Sequence, residues 1–60
     1  MTTDDAFPAT LLRIERGERL LEVVGHLWSL AKNLGMVDTA VVLDLAMTAI
    51  DVDLDRWRQG

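Results

Sequence analysis

The second half of this chain carries more apolar circumference than one neighbour can cover, and that restricts what it can become. Asp44, Thr48, Asp51 and Asp55 are spaced four, three and four residues apart. At ~100° per residue they fall in one narrow polar stripe of a helix. Val41, Val42, Leu43, Leu45, Ala46, Met47, Ala49, Ile50, Val52 and Leu54 take nearly all the remaining surface, roughly two-thirds of the wheel. A helix of this kind is stable only when buried on more than one side. A strand over Val41-Val42-Leu43 is the competing reading, because short β-branched runs are ambiguous. Leu45, Ala46, Met47 and Ala49 favour helix, however, and no second strand offers itself as a partner.

The first half supplies one partner. From Pro8 to Leu34 apolar residues recur at helical spacing. Leu20, Leu21, Val23, Val24, Leu27, Trp28, Leu30, Ala31 and Leu34 fill about half of the wheel, opposite Glu15, Glu18, Glu22, His26, Ser29 and Asn33. Ile14, Leu21 and Trp28 are seven apart, as are Gly17, Val24 and Ala31, which is the spacing of a bundle seam. Arg13 and Arg16 fall where the dry stripe would continue, so either the helix bends near Gly17 or its first turns overhang the core. Gly17 and Gly25 each cost about 1 kcal/mol in a helix interior, which close helix approach or a bend would justify.

Between the halves stands Asn33-Leu34-Gly35-Met36-Val37-Asp38. Gly35 suits a left-handed helix end, with Met36 folding back onto the last turn. Asp38 suits an N-cap, with Val37 and Val42 at the positions of a hydrophobic staple. The expected fold is therefore all-α: a two-helix antiparallel hairpin, with a flexible arm over residues 1–7, a helix over about 8–34, a loop over 35–37 and a helix over about 38–59. An antiparallel register brings Arg56 and Arg58 near Glu15 and Glu18.

Composition narrows the chemistry. Half of the 60 residues are hydrophobic and 27% are charged, which is not the composition of a disordered chain. There is no cysteine, so disulfides and thiolate zinc sites are excluded. The net charge of −4 argues against non-specific attraction to nucleic acid or anionic lipid. The acidic opening Met1-Thr2-Thr3-Asp4-Asp5 is unlike a secretory leader, and the Ala40–Ile50 run is too short to span a bilayer. A cytoplasmic location without membrane contact is the expectation.

Candidate sites for chemistry are thin. Asp51-Val52-Asp53-Leu54-Asp55 opens like a calcium loop, but Arg56 stands where that loop needs glycine, and on a helix Asp53 points away from Asp51 and Asp55. Glu22 and His26 are one turn apart on the wet face, at a spacing that differs from the Glu-x-x-His of di-iron bundles. Ser29 lies near His26 with nothing to orient a nucleophile and base. The chain is read as a non-enzyme without metal or cofactor.

What remains is association. The hairpin is expected to pair into a homodimeric, antiparallel four-helix bundle, or to dock on another protein. The surface assigned to that contact comprises Val42, Leu45, Ala46, Ala49, Ile50, Val52 and Trp57. Trp57, between Arg56 and Arg58, either caps the start of the first helix or anchors a partner, since Trp and Arg are favoured hot-spot residues. The expected function is a small protein-interaction module serving as a regulator, inhibitor or accessory subunit. The alternative is a dimeric RNA-binding regulator using Arg13, Arg16, Arg19, His26 and Lys32 along the first helix, among interleaved glutamates.

Overall fold

A computed structural model describes the backbone of residues 3–59 and the side chains of residues 11–59. Two helices, α1 (Thr3–Asn33) and α2 (Val37–Gln59), pack against each other as an antiparallel hairpin. The all-α hairpin expected from periodicity is the fold observed.

Glycine chemistry makes the turn. Gly35 has φ of 77°, in the left-handed region. The Met36 N–H donates to the Ala31 carbonyl at 2.8 Å, and the Gly35 N–H to the Lys32 carbonyl at 3.1 Å. These are the two hydrogen bonds of a Schellman end, and they satisfy carbonyls that the helix would otherwise leave unpaired. A Cβ at Gly35 would meet no neighbour, so Gly35→Ala tests backbone strain alone. We expect a loss of about 1–2 kcal/mol, measured by urea denaturation.

The second helix begins one residue earlier than expected. The Ala40 N–H donates to the Met36 carbonyl at 2.9 Å, so Met36 occupies the capping position and Asp38 lies within the first turn. There its carboxylate favours the positive end of the helix dipole instead of capping it. The shift also removes the staple: Val37 and Val42 are both well exposed.

The other end differs too. The helical backbone starts at Thr3, so residues 3–7 of the anticipated arm belong to α1, while Met1 and Thr2 lie outside the described residues. Pro8 is the sixth residue of α1, so its missing N–H forgoes one helical hydrogen bond. At 1.5 Å per residue a straight α1 of 31 residues spans about 46 Å. The molecule measures 48 Å along its long axis, so α1 runs without a sharp bend at Gly17. Trp57, two residues from the end of α2, reaches Arg13. The first turns of α1 therefore overhang.

The interhelical seam follows heptad spacing. Val24 and Ala31 of α1, and Ala40 and Leu54 of α2, are buried. Ile14, Gly17, Leu21 and Trp28, with Leu43, Met47, Ile50 and Trp57, are half-buried between them. Leu54 is the most enclosed side chain, at 1% exposure. The helices approach closely at Gly17, whose missing Cβ would lie 2.6 Å from Leu54 Cδ2 and 3.2 Å from Trp57 Cζ3. At this level α2 lies against bare backbone of α1. Arg58 Nη2 donates to Glu18 Oε2 at 2.5 Å, the register that the charges favour. Both side chains are about half exposed, so the pair selects the register more than it stabilises the fold.

Candidate interaction surface

Two parallel rods in contact form a plate, and the two sides of this plate differ in chemistry. On one side the groove between the helices is lined by Trp28, Lys32, Val37, Ala40, Val41 and Asp44. Lys32 Nζ sits over the Trp28 ring, 4.8 Å from its centroid. Helical spacing carries this side on through Ser29, Glu22 and Glu18 of α1, and through Thr48, Asp51, Asp55 and Arg58 of α2. The Thr48 hydroxyl donates to the Asp44 carbonyl at 3.3 Å, and Arg58 Nη1 stands 3.9 Å from Asp55. This is the wet side.

On the other side the groove is lined near the turn by Leu27, Leu30, Ala31, Leu34, Met36, Thr39 and Leu43. Toward the open end it is lined by Leu12, Arg13, Arg16, Gly17, Leu20 and Trp57. Leu20, Leu27 and Leu34 are seven residues apart and each remains 46–65% exposed. They form an apolar ridge along the half of α1 next to the turn and onto the turn itself. Next to it, the seam edge of α2 is low, with the small Thr39 exposed and Leu43, Ala46 and Ile50 half-buried. Around the outer edge of α2, Val41, Leu45 and Val52 are exposed as well, at 54%, 64% and 46%.

Of the residues assigned to a contact from sequence, Val42, Leu45, Ala49 and Val52 are exposed, and Ala46 is half-buried. Ile50 and Trp57 belong to the hairpin's own seam. The Trp57 ring lies against Gly17, and the Arg13 guanidinium is 5.5 Å from its centroid, so this tryptophan caps α1 within its own chain. The ridge on α1 was missing from that assignment. Sequence periodicity marked its leucines as dry and credited them to the hairpin core, yet the seam covers only one flank of a wider arc. The signal was present in the half-circumference breadth of the α1 stripe.

No protein-family model, curated protein or solved structure matches this chain. Its surface must therefore be read from its own chemistry.

Among the described residues, no three His, Asp or Glu side chains converge on a point where a metal could sit. His26 and Glu22 are exposed, and Asp51, Asp53 and Asp55 are exposed along the helix instead of wrapped around a cavity. Of the five basic residues considered for RNA, Arg13 and Lys32 lie over tryptophan rings at opposite ends of the interhelical seam. Among the described residues no helix is long and apolar enough to cross a membrane.

Proposed function

We propose that this chain is a small non-enzymatic protein-interaction module, a regulator, inhibitor or accessory subunit, that works as a self-associated helical hairpin. The observation that carries the reading is the apolar side of the plate: a continuous ridge of half-exposed leucines on α1 beside the apolar flank of α2. Surface area argues for a second copy as the occupant. A folded monomer of 6.7 kDa exposes about 3,900 Å² by the scaling of accessible surface with mass. This chain exposes 4795 Å². The elongated shape and the overhanging turns of α1 contribute to this excess together with the open apolar side, so it is an upper bound on what a partner covers, against ~800 Å² per partner in a standard interface. At ~25 cal/mol per Å², burial of even a few hundred Å² of apolar surface supplies several kcal/mol.

Sedimentation across a dilution series tests this. We expect a dimer that dissociates only on dilution below the low micromolar range. Leu27→Glu places a charge on the ridge at a position exposed enough to leave the hairpin folded, and it should yield monomers. Asp44→Lys on the wet side should leave the dimer intact. A helical wild-type chain of monomer mass at tens of micromolar would end this reading.

A further inference from the structure

The two copies can be stacked with their turns at the same end or at opposite ends, and the surface relief distinguishes these arrangements. We propose that the second copy lies with its turn at the same end, related by a two-fold axis parallel to the helices. The ridge of α1 in each copy then fills the trough along α2 of the other. This rests on the self-association proposed above and specifies its geometry.

Shape is the first reason. The apolar side is uneven across its width: Leu20, Leu27 and Leu34 stand proud on the first helix and its end, whereas beside the seam of α2 the small Thr39 and Ala46 leave a trough bounded on its outer edge by the exposed Val42. An axis parallel to the helices sets α1 against α2 of the other copy, so large residues meet small ones along the whole length. A perpendicular in-plane axis sets α1 against α1 and α2 against α2. Ridge then meets ridge and holds the troughs apart, leaving a void between them. Close packing penalises such gaps, because lining atoms lose their dispersion partners.

Charge is the second reason, and it is independent of shape. Arg16 lies on the α1 side of the apolar face near the open end. Asp53 is seven residues after Ala46 and shares its flank of α2. Since Leu54 lies opposite Gly17, Arg16 and Asp53 are within about one turn of the same level. Same-end stacking therefore places Arg16 of one copy beside Asp53 of the other, at both symmetric positions. Opposite-end stacking sets these charges against leucine, threonine and valine near the turn, where a charge lacks a partner and water is excluded. Along the paired turns, Arg13, Arg16, Arg19, Arg56 and Arg58 balance Glu15, Glu18, Asp51, Asp53 and Asp55, and the two unbalanced carboxylates, Asp4 and Asp5, belong to the overhang beyond them.

The experiment uses the full chain, which lacks cysteine and accepts a single labelling site. Gln59→Cys carries a spin label near the open end, outside the apolar face, and pulsed dipolar spectroscopy reads the separation of the two labels in the dimer. Same-end stacking sets the two α2 helices diagonally, about 14 Å between axes for neighbours at ~10 Å. Opposite-end stacking separates the Gln59 positions by more than about 30 Å along the bundle. A short distance, lost in the labelled Leu27→Glu chain, is the expected result. A long distance in an intact dimer overturns the stacking and leaves self-association standing. A short distance that survives Leu27→Glu shows contact through another surface and also overturns it. A chain that sediments as a monomer overturns both.

Discussion

Leu54→Ala is expected to cost about 3 kcal/mol or more, the largest loss of any single truncation in the hairpin. Among the described residues Leu54 is the one large side chain that is fully enclosed, and it is seated in the notch left by Gly17, which the Trp57 ring also borders. Removing its isopropyl end forfeits the transfer of that group from water and leaves a space that two rigid helices cannot close. A domain of this length is stable by about 3–9 kcal/mol, so this loss removes about a third or more of the total. Urea denaturation followed by tryptophan fluorescence gives the number, since Trp57 reports on the site directly. Val52→Ala, at an exposed position on the same helix, should shift stability by less than about 0.5 kcal/mol. A shift below about 1 kcal/mol for Leu54→Ala would mean that the close approach of the helices at Gly17 is not formed.

Why Leu54 holds this place shows what the sequence could and could not reveal. Periodicity put Gly17, Val24 and Ala31 on one heptad line and Ile14, Leu21 and Trp28 on another, and those lines form the α1 side of the seam. The turn was legible for a similar reason. A Schellman end is local, fixed by one glycine and the residue after it, and needs no tertiary information. The pairing of Arg58 with Glu18 follows once helix lengths and the turn are known. What sequence could not supply was depth. Leu54 stands between Asp53 and Asp55, in a stretch that reads as acidic edge, and its burial depends on a residue 37 positions earlier having no side chain.

The interaction surface was half legible for the same physical reason. A wheel shows how wide an apolar arc is, and on both helices the arc exceeds what one neighbour covers. It does not say which flank the neighbour takes. That choice is set by the small rotation of each helix about its own axis, which packing at Gly17 and the position of Trp57 decide. The outcome turned Trp57 inward and left Leu20, Leu27 and Leu34 facing out. The one-residue shift at the start of α2 is similar. Capping chemistry favoured Asp38, but directly after the Schellman turn, which engages the Met36 N–H, the Met36 carbonyl accepts the first hydrogen bond of α2 from the Ala40 N–H.

The same close approach yields the second large effect, and it comes as a pair of opposite signs. Gly17→Ala and Gly25→Ala are the same chemical change in the same helix, and each removes about 1 kcal/mol of helix-propensity penalty. At Gly25 the new Cβ would lie 3.8 Å from Met47 Sδ, an ordinary contact, so the gain should appear in full as about 1 kcal/mol of added stability. At Gly17 it would lie 2.6 Å from Leu54 Cδ2 and 3.2 Å from Trp57 Cζ3. Leu54 has no solvent-facing space to move into, so relief requires the helices to separate, and overpacking of this kind costs about 1–3 kcal/mol. The net expectation for Gly17→Ala is a loss of about 1 kcal/mol. Gly17→Val adds two further methyls and recovers less propensity, so about 3 kcal/mol should be lost. The loss should be accompanied by a change in Trp57 fluorescence as the ring is pushed off α1. Urea midpoints for the three variants decide the matter. If Gly17→Ala stabilised the chain as Gly25→Ala does, the helices would be too far apart for Leu54 to be gripped, and the rotation that exposes the α1 ridge would have no cause.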